Sequence, residues 1–206
     1  MSEIEHLPEE KLRYLAQLMG RAKSLEDSKE AQDNFLTFVK QVWPDFIAGR
    51  HHTIMAQKFE AIATGKLRRV IINMPPRHTK SEFASFLLPS WLIGRRPKLK
   101  IMQTTHTAEL AFRFGRKVRT LMEGEEYRKV FQGADLRADD KAAGRWSTTQ
   151  GGEYFAAGVG GAVTGRGADL LIIDDPHSEQ DALSPAALEH AYEWYTSGPR
   201  QRLQPG

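Results

Sequence analysis

The chain has 206 residues, 40% hydrophobic and 27% charged, with no cysteine. That is a globular domain large enough to bury a core unaided, and it excludes a disulfide framework, a Cys-ligated zinc site and a thiol nucleophile. The net charge of +3 is mild but uneven: residues 1–33 carry five Lys/Arg against eight Asp/Glu and the remainder 24 against 18, so an acidic head precedes a basic body.

In chain order, residues 7–23 are expected to form a helix, with Pro8 at its start, Glu9 and Glu10 at the positive end of its dipole, and Leu12, Leu15, Leu18 and Met19 as its apolar stripe. A second helix is expected over about 28–42, with Phe35, Phe38, Val39 and Val42 on one face. A third follows over about 52–64 and ends at Gly65. The period then changes. Residues 69–74 are a short β-branched run stopped by Pro75-Pro76, and a helix is expected over about 80–92. Residues 99–105 are the next strand, 107–122 a helix and 153–157 a weaker strand. Residues 169–174 are the clearest strand, apolar from Leu170 to Ile173 as a central strand buried on both faces requires, and a helix follows over about 185–196. Alternating strands and helices predict an α/β domain with a mostly parallel sheet. The longest uncharged apolar stretch, residues 83–94, is interrupted by Pro89 and too short to cross a bilayer. The acidic start has no secretory pattern, so no membrane association is expected.

Two constellations carry chemistry. Residues 74–81, Met-Pro-Pro-Arg-His-Thr-Lys-Ser, follow a predicted strand and open a predicted helix. A phosphate loop belongs in that setting: backbone N–H groups wrap the phosphate, Lys80 reaches its oxygens, and the Ser81 hydroxyl ligates Mg²⁺. Both usual glycines are absent, Met74 and Thr79 standing in their places. The alternative is a proline-terminated strand and an ordinary helix start. The second constellation is the apolar strand ending in Asp174-Asp175, where Asp174 can support Mg²⁺ and Asp175 can orient an attacking water. The alternative there is an acidic turn before Pro176, with Asp175 as its cap. The basic residues Arg113, Arg116, Lys117 and Arg119 fall on one predicted helix and form either a DNA-tracking face or a solvated one. No HxxxH, HExxH or GxSxG spacing occurs, so neither a zinc site nor a serine hydrolase is expected.

Three blocks in order, Pro75-Pro76-Arg77-His78-Thr79-Lys80-Ser81, residues 161–169 (Gly-Ala-Val-Thr-Gly-Arg-Gly-Ala-Asp), and Leu171-Ile172-Ile173-Asp174-Asp175-Pro176, resemble the ATPase domain of tailed-phage large terminase subunits. The resemblance runs from about His51 to the C-terminus. It implies a P-loop NTPase of the additional-strand type (ASCE), with residues 1–46 as a helical lead-in and 47–206 as the ATPase domain. It further implies ATP and Mg²⁺ as cofactors, and hydrolysis coupled to pumping double-stranded DNA into a procapsid. Carried over to this chain, Pro76, Arg77, His78, Thr79, Lys80 and Ser81 hold the nucleotide, with Gln57 reading adenine unless it is a solvated helix-face residue. Ser81 and Asp174 hold Mg²⁺, Asp175 is the general base one methylene shorter than the family's frequent glutamate, and Arg77 contacts the γ-phosphate in cis. Arg166, in a glycine-rich loop, is the candidate finger for a neighbouring subunit's ATP, or else a surface arginine. The partners implied are the portal protein, the small terminase subunit and further copies in a ring, with a monomer expected for the free chain. The place implied is the host cytoplasm and, transiently, the portal vertex. The family's next sheet strand and its nuclease domain lie beyond residue 206, so a truncated ATPase core without nuclease activity is expected. The competing readings are a catalytically weak or inactive nucleotide-binding or packaging-partner module, and a helicase-like translocase.

Overall fold

A computed structural model describes residues 8–204. Helix α1 (Glu9–Asp33) is followed by α2 (Phe35–Val42) and α3 (Arg50–Ala63). A six-residue π-helix (Glu82–Leu87) runs directly into α4 (Leu88–Arg95). Then come β1 (Lys100–Thr105), α5 (Ala108–Glu123), α6 (Glu125–Val130), β2 (Leu136–Ala142), β3 (Arg145–Thr148), β4 (Glu153–Gly158), β5 (Leu170–Ile173) and α7 (Pro185–Ser197). The fold is α/β, a five-stranded sheet of order β2-β3-β4-β1-β5 flanked by helices. No helix among the described residues is long and apolar enough to cross a membrane.

The sheet is mixed rather than mostly parallel. β1 pairs in parallel with β4 and β5, whereas β3 is antiparallel to both β2 and β4. The antiparallel hairpin lies where the sequence carries charges, Arg137 to Lys141, which hide the strand alternation. What anchors it is the directly opposed pair Trp146 and Tyr154, whose fully buried rings stack 4.9 Å apart. Gly115 of α5 permits the close approach on that side: a Cβ there would meet the Ala143 carbonyl oxygen at 2.8 Å, and its own carbonyl accepts from Trp146 Nε1.

Alternation along the strands separates two cores. Ile101, Tyr154, Ala156 and Ile172 face the large cluster, which reaches Trp91, Val118 and the helical lead-in through Ala31, Phe35 and Phe38. Met102, Ala157, Phe155 and Leu171 face a small cluster capped by Trp194 of α7. Phe35 sits at the hub of the first, edge-on to Phe59, Phe83 and Trp91 at 5.3–5.5 Å.

Three expectations about elements are corrected. First, Glu9–Asp33 form one continuous helix, broken only at Asn34, whose side chain accepts from Thr37 N–H and caps α2. The stripe Leu12, Leu15, Leu18 and Met19 does not pack: all four are exposed, and the burial of α1 begins at Ser28. Second, residues 69–74 are not a strand. They run without a ladder partner among the described residues, Ile71 is 88% exposed, and only Ile72 and Met74 touch the core. β-branched composition favours extension, but a strand needs a neighbour to bond with. Third, β5 is an edge strand rather than a central one. Among the described residues its only ladder partner is β1, and Ile173 is 40% exposed. On the opposite edge Leu203 forms a lone parallel bridge with Ala168, just before β5 begins.

Candidate phosphate and acid site

The carboxyl ends of β1 and β5 lie side by side, with Asp174 N–H bonded to the Thr104 carbonyl and His106 N–H to that of Asp175. Residues 75–79 form an irregular loop in front of them, and Lys80 and Ser81 open the helix that follows. Lys80 Nζ forms an ion pair with Asp175 and lies 3.6 Å from Asp174 Oδ1. The two constellations, some 95 residues apart in sequence, therefore meet. Burial pulls Lys80 toward its neutral form, but its bond to Asp175 and the charges of both aspartates outweigh this and raise its pKa above the ordinary lysine value.

Asp174 is 6% exposed, and its Oδ2 accepts from Ser85 Oγ at 2.8 Å. Ser85 in turn accepts from Gln103 Nε2 at 3.1 Å, while Gln103 Oε1 is buried with no partner among the described residues. The π-helical turn after Ser81 carries Ser85, and π segments of this kind recur at functional sites. Neither Ser85 nor Gln103 was among the residues expected from the sequence. Their roles come from a long-range meeting of helix and strand that no local pattern encodes.

Among the described residues only three non-glycine residues have positive φ: Arg77 (64°), Thr79 (59°) and Asp175 (42°). All three lie at this site. Each costs on the order of 1–3 kcal/mol, a strain that surrounding contacts must hold in place. For Thr79 the holding contact is His52 of α3, whose Nε2 lies 2.6 Å from Thr79 Oγ1.

Other expected residues stand elsewhere. Pro76, Arg77 and His78 are exposed on the loop, with His78 Nδ1 bonded to the Pro76 carbonyl. Gln57 is exposed on α3, roughly 140° around the helix from the loop-facing His52, so it does not face the loop. Arg166 is not at the tip of a free loop. It pairs with Glu153 at 2.6 Å, lies over the Phe155 ring at 4.2 Å, and flanks an apolar cavity of ≈ 490 Å³. Lys117 leaves the expected basic face to pair with Glu82 at 2.5 Å, whereas Arg113 and Arg116 are exposed.

The residues at the site suit an Mg²⁺-bound phosphate. No group of three or more His, Asp or Glu among the described residues could hold a metal alone. Mg²⁺ needs no such cage, since it binds through one or two carboxylates together with substrate phosphates and water. Asp174 supplies one such carboxylate, and Lys80 offsets part of the charge that it and Asp175 carry. Comparison with family models gave no match, and comparison with curated proteins gave none either.

Proposed function

We propose that this chain is a P-loop ATPase, and that its biological role is that of the motor domain of a phage large terminase, driving double-stranded DNA into a procapsid. The observation that carries the ATPase reading is the meeting of Lys80, at the start of a helix behind a left-handed loop, with the acids at the end of β5. In the free site Lys80 faces both aspartates and offsets one of their two charges. A bound nucleotide would take Lys80 onto its phosphate oxygens and free Asp174 and Asp175. When bound, Mg²⁺ supplies neutralisation of phosphate charge. Asp174, turned by Ser85, and the Ser81 hydroxyl are the groups to hold it. Asp175, exposed and at the rim, is the group to accept a proton from water.

The terminase role, with portal protein, small terminase subunit and a ring of copies as partners, rests on the sequence resemblance. A second reading, a nucleotide-binding module with little turnover, is favoured by the unladdered residues 69–74 and by the pairing of Arg166 with Glu153. Calorimetry of Mg²⁺·ATP binding tests the site: Lys80→Ala is expected to weaken affinity at least tenfold, about 1.4 kcal/mol. Equal affinities for wild type and variant would refute it. Steady-state phosphate release with and without double-stranded DNA then separates motor from module.

A further inference from the structure

We propose that His52 is a positioning residue for the loop. Its neutral ring accepts the Gly49 N–H at Nδ1 and donates from Nε2 to Thr79, holding Thr79 left-handed in front of Lys80, and protonation of the ring releases the loop. The inference deepens the reading of residues 75–81 as a phosphate loop and rests on that reading for the identity of the ligand.

The direction of every hydrogen bond follows from the atoms. Gly49 N lies 2.8 Å from His52 Nδ1. A backbone N–H can only donate, so Nδ1 carries a lone pair and the ring proton of the neutral form is on Nε2. That proton points to Thr79 Oγ1 at 2.6 Å. Thr79 Oγ1 lies 2.6 Å from the His78 carbonyl, which can only accept, so the hydroxyl proton goes there. The relay Gly49 to His52 to Thr79 to His78 therefore runs one way with every donor matched.

A second proton on His52 would set an N–H against the Gly49 N–H. The ring cannot relieve that clash by turning in place, because it is 6% exposed and packed against Phe46 at 4.7 Å and Phe83 at 4.8 Å. Relief requires the ring to leave its seat, and the Nε2–H that holds Thr79 leaves with it. The titratable groups bearing on it are His51 of its own helix, whose ring is 3.8 Å away, and His78 of the loop; Phe46 and Phe83 are apolar. Burial, then His51 and His78, hold its pKa below the ordinary 6.5, so the neutral relay is the form present at pH 7. Most phosphate loops place a glycine before the lysine, which takes positive φ without help. Here a threonine takes φ 59°, and the relay supplies the hold that its side chain makes necessary.

The test begins without nucleotide. NMR of the labelled chain from pH 8 to 5 is expected to report the Nε2–H tautomer of His52 at pH 8. Thr79 backbone shifts should leave left-handed values as His52 titrates, with a midpoint below 6.5. His52→Gln can accept from Gly49 and donate to Thr79, so it should keep those shifts at every pH. Mg²⁺·ADP affinity at pH 8 follows. His52→Ala should weaken it about fivefold, the worth of one hydrogen bond, but less than about twofold in the Thr79→Gly background, where glycine needs no hold. His52→Gln should restore most of it. The proposal is overturned if Thr79 shifts ignore His52 protonation, or if His52→Ala costs as much with Thr79→Gly as without it. A wild type that binds no ADP while Thr79 still follows His52 would sink the phosphate-loop reading and leave the positioning role standing. If His52→Ala does not fold, the wild-type titration and His52→Gln decide the matter.

Discussion

Ser85 is a small side chain with two obligations, donating to Asp174 Oδ2 and accepting from Gln103 Nε2. Ser85→Ala leaves a buried carboxylate oxygen and a buried amide without partners, which costs about 1–3 kcal/mol. Thermal unfolding should register that loss, and Mg²⁺-dependent nucleotide affinity should fall as well, because Asp174 is then free to swing both oxygens to Lys80. Unchanged affinity would mean that Ser85 serves only the core. His52 yields a stability prediction of its own. Its folded pKa is depressed, so the unfolded chain binds the proton first. Its contribution is complete above the unfolded value of 6.5 and is lost as pH falls from there through the folded value. The melting temperature should drop across that window in wild type and drop less in His52→Gln; equal slopes would remove His52 from the account.

Residues 70–74 are the place where local composition and environment disagree. They open with three β-branched side chains but are unladdered among the described residues, whereas β1 lies between two parallel neighbours. Amide hydrogen exchange should therefore be fast over 70–74 and slow over Ile101–Thr104, a gap of several orders of magnitude if β1 opens only with the whole fold. Comparable protection of both would show that residues 70–74 are laddered in solution. The same contrast marks what the sequence could tell. The 3.6 and 2.0 periods located α5, α7, β1, β4 and β5 to within about two residues. The positions of Lys80, Asp174 and Asp175 at element ends were legible because the turn signals around them are local. The charged hairpin β2–β3 was hidden because its charges mask the alternation and because it docks on the sheet through a long-range stacked pair, Trp146 of β3 on Tyr154 of β4. The strand expected at 69–74 failed because propensity specifies a conformation but not a partner. His52 and Ser85 were illegible for a related reason: their partners lie 27 and 89 residues away.

On the scale of the whole molecule, Arg166 and the acid site lie at different ends of the sheet. Arg166 binds Glu153 at the first residue of β4, and the register aligns Thr104 with both Ala157 and Ile173. Asp174 is thus level with the far end of β4, about five residues or ~16 Å from Glu153 along the strands. An arginine held there by Glu153 and Phe155 does not serve its own chain's Lys80 and Asp175. If it stabilises transition-state charge, it does so on a neighbour, after leaving Glu153. Two results should follow. Glu153→Gln weakens the hold on Arg166 and should raise phosphate release in assembled rings while leaving the isolated chain slow. Arg166→Ala should leave nucleotide affinity intact and lower turnover by a factor approaching ~10³, the lower end for an arginine supplied in trans. Mixing is the stricter measurement. Chains carrying Arg166→Ala, combined with chains carrying Asp175→Asn, form some interfaces at which an intact arginine meets an intact acid. Activity should then partly return, although each variant alone is nearly inactive. If no mixture recovers activity under conditions where wild type assembles and turns over, Arg166 has no role in trans, and its contacts with Glu153 and Phe155 are structural.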